Sequence, residues 1–383
     1  MSLRSGMNRR QLFRLGAAGV PVLVNAQAPL ATGEAIFDGA SLRGWTIVDG
    51  PDSSFFVDDG AIAVSPVASF PSWLRSEATY ENFELTGEFF IRGWTDSGIY
   101  IHAPEHGRPT LCGLQIKVFH QPEETPTPQS AGSVFPLVAP SKVNVKSGWN
   151  SFRIRSDWPK LVVAINGETV HDLDMEAHPE LRYRLRSGHI GIAAASAPCR
   201  FRNLRVQRLP AKEQWISLYE SAADLKKWTV SEGKPEMAAL GHVLRLNGLG
   251  HLSTNEKFRD FEFQAYIRAA SQHNGGVIFR STPRGTPQHK HYEIQLHNVE
   301  QAHYPTGSLY GFKRASYPRI EDEKWYLFQL IVRDKWCLVR INGENVTEYD
   351  RLDNLEEGTI ELQAHRAGFW TEFKRVRVKR LTT

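Results

Sequence analysis

Two short segments of this chain carry the same pattern of chemically competent side chains. Glu293, Gln295 and His297 alternate in YEIQLHN, and Glu361, Gln363 and His365 alternate in IELQAH. Alternate residues of a β-strand share a face, so each segment would turn an acid, an amide and an imidazole outward. Tyr292, Ile294 and Leu296, or Ile360, Leu362 and Ala364, would then face a core. Carboxylate and imidazole on one face are the materials of general acid–base chemistry or of tight polar binding. They are also metal-ligand types, but Glu and His four residues apart on one strand are ~13 Å apart, so one strand cannot chelate with both. The expectation is therefore no cofactor, with a divalent ion as the option that cross-strand convergence would open.

The elements that must hold these residues read as strands. Alternating runs such as FELTGEFFI, NSFRIRS, KLVVAINGETV, FEFQAYIRA, YLFQLIV and CLVRINGENV are separated by Gly, Pro, Asn and Asp clusters. Asn166-Gly167 and Asn342-Gly343 lie between such runs, a strong hairpin signal. Helical periodicity is confined to short turns near 221–227 and 177–183. Landmarks then recur in one order: Leu42-x-x-Trp45 with Leu225-x-x-Trp228, Asn82-Phe83-Glu84-Leu85 with Asp260-Phe261-Glu262-Phe263, Ser97-Gly98-Ile99-Tyr100 with Gly275-Gly276-Val277-Ile278, Gly132-Ser133-Val134-Phe135 with Gly307-Ser308-Leu309-Tyr310, and Phe201 to Val206 with Phe373 to Val378. Internal repetition on this scale predicts two whole domains, 34–209 and 215–381, each a β-sandwich.

The repeat supplies its own control. Pairing Leu114-Gln115 with Ile294-Gln295 sets Gly113 against Glu293, Lys117 against His297 and Ala195 against His365, while His102 falls against Arg280. On that pairing the first copy is degenerate and the second is the candidate active copy.

Composition sets limits. A chain of 383 residues is comfortable for two cores. Its formal charge of +4 is accounted for by Arg4, Arg9, Arg10 and Arg14, so the remainder is neutral and gives no footprint for nucleic acid. Arg9 and Arg10, the apolar run Leu15 to Val24 and Ala26-Gln27-Ala28 have the form of a twin-arginine export signal over 1–28. The expected location is periplasmic or secreted, with no membrane association once the signal is removed. Cys112, Cys199 and Cys337 do not form a disulfide framework, and we expect them unpaired.

Taken together, Phe37-Asp38-Gly39 through Gly44-Trp45, the Asn-Phe-Glu-Leu strand, the Ser-Gly-Ile turn, the Tyr-Glu-Ile-Gln strand with Thr306 to Tyr310, and the closing Phe-Arg-Asn-Leu-Arg resemble the 3-keto-disaccharide hydrolase domain family. The resemblance covers nearly everything after residue 35, twice. It implies two tandem concanavalin A-like jelly-roll β-sandwiches, all-β, handling carbohydrate in an exported protein.

A ketone at C3 acidifies the C2 proton, so a base can form an enolate, the C1 substituent can leave, and water can add across the double bond. Such a site needs a base near neutral pKa, a cation or hydrogen-bond donor at the enolate oxygen and a proton donor for the leaving group. His365 or His297 is the expected base. Glu293 would orient it or donate to the leaving oxygen, and Arg280 would sit by the ketone. Gln295, Glu361 and Gln363 would bind substrate, with Trp370, on a lengthened loop, and Tyr310 as stacking platforms. A noncatalytic, lectin-like protein is the alternative. Trp149 and Trp325, present in both copies, read as packing residues.

Overall fold

Strand formation follows the period-two pattern. In Phe83–Ile91, Phe83, Leu85, Gly87, Phe89 and Ile91 are buried while the residues between them are not. The computed structural model describes residues 33–66, 68–120, 125–196 and 198–382. The segment read as an export signal lies outside the described residues.

The chain is all-β and consists of two tandem concanavalin A-like jelly-roll sandwiches. In the first, one sheet runs in spatial order through Glu168–Asp174, Lys160–Ile165, Gly148–Asp157, Phe83–Ile91, Cys199–Arg208, Ala61–Val64 and Phe55–Asp58. The facing sheet runs through Trp45–Val48, Trp73–Tyr80, Gly188–Ala193, Asp96–Ala103, Leu114–Phe119 and Val134–Phe135. Between them lies a core that includes Leu74, Phe83, Phe89, Ile101, Leu161 and Phe201. The second half repeats the plan around its own core, including Leu252, Phe261, Phe263, Val277, Ile294, Phe328 and Leu362. Fully burying each such side chain contributes roughly 1.5–3 kcal/mol.

One strand joins the two layers of the second sandwich. Val243–Phe258 pairs through Val243 to Leu246 with Thr371–Arg380, and from Gly250 onward with Gly358–Ala364. All eleven strands therefore belong to one continuous folded sheet.

The expected short helix at 221–227 forms as the 3-10 turn Ala222–Lys227, closed by a capping box between Ser221 and Asp224. The stretch 177–183 forms turns, while Pro109–Cys112 makes a single helical turn that periodicity did not reveal. Cys112, Cys199 and Cys337 are free and buried.

The two halves meet through specific contacts. Lys374 Nζ lies 2.7 Å from Glu105 Oε1, and the Glu105 N–H donates to Tyr266 Oη at 2.8 Å. Glu213 bridges Arg186 of the first half, at 2.7 Å, and Lys379 of the second. Cys112 and Leu185 pack on Tyr266 and Leu327, with Trp325 against them.

Candidate functional site

The two Glu-x-Gln-x-His strands flank a common neighbour. Gly275–Ser281 pairs with Tyr292–Leu296 on one side and Gly358–Ala364 on the other, so Ile278 stands between Glu293 and Glu361, and Gly276 between Gln295 and Gln363. On the far side of Gly358–Ala364, Gln363 is opposite His251 and Glu361 is opposite Ser253. Val277, Ile294, Leu362 and Leu252 point into the core, so these polar groups share the outer face.

Gly276 is needed for this arrangement. A Cβ there would collide with the side chain of Glu293, which lies across the glycine. Among the described residues none hydrogen-bonds the Glu293 carboxylate. Burial pushes its pKa up to about 7, against the downward pull of the nearby His251 and Arg284. Glu361 behaves oppositely. Burial raises its pKa too, but hydrogen bonding to His251 and Arg284 outweighs this and holds it at about 2. His251 Nδ1 is 2.8 Å from Glu361 Oε2 and 2.6 Å from Arg284 Nη2, and Arg284 Nη2 donates to Glu361 at 2.8 Å. Arg284 Nη1 also reaches Glu232 at 2.5 Å. Two carboxyls on one face thus sit in opposite protonation regimes, the arrangement that separates proton-transfer roles.

The histidines of the repeated pattern lie at the other end of the same face. His297 and His365 line an open cavity of about 520 Å³ with Gln272, Asn274, Val299, Arg366 and Phe369. His365 is exposed, and burial lowers the pKa of half-buried His297. Beneath them His273 is buried against Thr371, its pKa lowered by burial to about 4. Gln295 Nε2 donates to Asn274 Oδ1 at 2.6 Å and links the two regions. Carboxylates and imidazoles from the two motifs therefore share a face without forming a single centre. Among the described residues, no three His, Cys, Asp or Glu side chains converge as around a metal ion.

Arg280 requires a correction. Its residue exposure is 0%, and its guanidinium donates to the carbonyls of Arg259, Asp334 and Asn354 and to Asp260 Oδ1. It cannot sit by a substrate ketone. Its counterpart His102 does the same structural work: both have positive φ, 48° and 52°, and His102 Nε2 meets the carbonyl of Glu81, just before Asn82 as Arg259 is just before Asp260. Trp370 is also displaced from the role expected of it. Its ring is covered by Arg245 and Arg268, which are held by Glu372 on the opposite layer. Tyr310 is exposed beside Tyr304, and its N–H donates to the Glu293 carbonyl at 2.9 Å.

The pairing of the two copies also shifts. The N–H of Lys117 bonds the carbonyl of Ser133 and that of Gln295 bonds Ser308, while Gly132 and Gly307 donate to the carbonyls of Lys117 and Gln295. Lys117 is therefore the counterpart of Gln295, and Gln115 that of Glu293. The motif-based pairing was two residues out of step, a slip that keeps the same face and so escapes the hydrophobic pattern.

His251, Arg284 and Glu232 are the residues that sequence reasoning missed. His251 alternates with Leu252 and Ser253, the only local trace of a polar face. Arg284 lies in a loop between Pro283 and Gly285, with no periodicity to place it.

The fold is that of a concanavalin A-like β-sandwich, present twice. The chain belongs to the 3-keto-alpha-glucoside-1,2-lyase-like domain family, whose model matches residues 32–207 and again 214–379. No curated protein matches the chain. Among solved structures, a provisionally assigned glycosyl hydrolase from Parabacteroides distasonis ATCC 8503 is 18% identical, with 46% of this chain and 93% of that chain covered at a TM-score of 0.40. A beta-glucanase from Bacillus licheniformis is 10% identical, covering 45% and 100% at 0.34. The carbohydrate-binding module CBM66 from Bacillus subtilis is 15% identical, covering 40% and 95% at 0.29.

Proposed function

We propose that the second domain cleaves the glycosidic bond of 3-keto glycosides by elimination, followed by addition of water, with Glu293 as the base. The observation that carries this reading is the Glu293 carboxyl itself, desolvated, free of hydrogen bonds among the described residues and titrating near neutrality beside two cationic-type groups. Glu293 takes the C2 proton and the C–H electron pair forms the enolate, whose oxygen faces Arg284. The enolate then collapses, the C3 carbonyl and a C1–C2 double bond form, and the C1–O bond breaks with its electrons going to the leaving oxygen. The Glu293 carboxyl, which now carries the C2 proton, delivers it to that oxygen, while His251 and Glu361 hold Arg284 in place. Water adding at C1 and a proton at C2 complete a net hydrolysis. This moves the base from the histidines expected at first to the carboxylate, because His297 and His365 are ~13 Å along their strands from the glutamates.

His297, His365 and their cavity then accept the remainder of the glycoside. The family membership supports the substrate class, and the paired arginines near the N-terminus support action outside the cytoplasm. The test is release of aglycone from an enzymatically oxidised glycoside by wild type and by Glu293→Gln. Turnover in wild type that falls at least about a hundredfold in the variant is expected. Equal rates, or saturable binding with no product in wild type, overturn the proposal.

A further inference from the structure

The first sandwich retains a formed pocket at the place where the second carries its polar face. The cavity measures about 400 Å³ and lies over Ala193 and Ala195, which stand where the second copy has Gln363 and His365. Removal of those long side chains makes the room. Its polar wall is built, not vestigial: Lys117, with a side chain only 6% exposed, ion-pairs with Asp96 at 2.6 Å and lies 4.2 Å above the Phe135 ring. Gln115, in the position of Glu293, accepts from Thr110 Oγ1 at 2.9 Å. The rim carries Phe70, which lines the cavity yet is 79% exposed, and the carbonyl of exposed Trp94 is held by Ser196 on the cavity wall.

We infer that this pocket is a noncatalytic binding site for a neutral saccharide unit, with Phe70 as its stacking face. The apolar face of a pyranose suits an exposed ring, and its hydroxyls suit the Lys117–Asp96 ion pair and the buried Gln115 amide, which present both donors and acceptors. An amide where the sibling has a titrating carboxyl can hold a hydroxyl but cannot take a proton. Because Lys117 is already neutralised by Asp96, the pocket offers an anionic sugar no net attraction. This inference stands apart from the chemistry proposed for the second domain.

The test is calorimetric titration of the full chain carrying Glu293→Gln with maltohexaose, cellohexaose and an oligogalacturonide, alone and combined with Phe70→Ala or with Ala193→Gln. Phe70 is exposed, so its removal leaves the core intact. At least one neutral oligosaccharide is expected to bind, with affinity reduced about five- to tenfold by either added substitution. Absence of binding by both neutral sugars, isotherms unmoved by both substitutions, or tighter binding of the oligogalacturonide would overturn the inference. Turnover of a small 3-keto glycoside by Phe70→Ala in the otherwise wild-type chain should be unchanged, which separates this result from any failure of the catalytic reading.

Discussion

Glu293 and Glu361 were indistinguishable as letters in a repeated pattern, and their neighbours make them opposites. Glu293 has lost water and gained no hydrogen bond, so its folded pKa of about 7 lies above the ordinary 4.5. It supports the fold below about pH 4.5 and that support is lost as pH rises through 7. Glu293→Gln should therefore gain stability over wild type as pH is raised from 5 to 8, measured by urea unfolding at each pH. In the wild-type enzyme kcat/KM should rise through an inflection near pH 7, as the base form accumulates. Glu361, held at about 2, contributes stability above its unfolded pKa that disappears as pH falls toward 2. Glu361→Gln should cost about 3 kcal/mol at pH 7 and progressively less in acid. The letters disclosed which side chains share a face. They could not disclose which would be met by Arg284 and His251, because those partners come from a loop and from a distant strand.

At the scale of elements, strands, hairpins and the duplication were legible because period-two burial and Asn-Gly turns are local properties. Register was not. Gln115 fell two places from its true counterpart because a shift of two preserves which face is buried, and only the hydrogen bonds of Lys117 and Gln295 to their neighbouring turns fix it. Arg280 misled for a related reason: a charged residue at a strand end reads as exposed, yet the bulge beside Ser281 turns it inward, where it satisfies carbonyls from three other segments. Arg280→Met should lower stability by roughly 3–5 kcal/mol, because Asp260 and those carbonyls lose their donor. Thermal melting would measure the loss, and what folds should retain sugar affinity. Loss of affinity without loss of stability would restore Arg280 to the binding face.

For the whole molecule, the halves are joined by buried charge as well as by apolar packing. Lys379 is bonded to Glu213 and is 3.1 Å from Glu262, and Lys374 is bonded to Glu105. Two sandwiches tied in this way should melt in one calorimetric transition. Lys374→Ala combined with Lys379→Ala removes one cation each from Glu105, Glu213 and Glu262 and should divide the melt in two, since losing a largely buried ion pair costs several kcal/mol. A split melt already in wild type, or a single one in the double variant, would contradict this coupling. Duplication was plain from the landmark order, but the contacts that unite the copies use residues such as Glu105 and Lys374 that no repeat pattern marks.

Val243–Phe258 lies in both layers of the second sandwich. Its inner part carries His251 beside the proposed catalytic groups, and its outer part forms the ladder with Thr371 to Lys374. A backbone shared in this way acts as a lever: occupancy at one end damps fluctuation at the other. Amide deuterium uptake at Leu244 and Leu246 should slow when sugar fills the distant face, giving a remote readout of the occupied state.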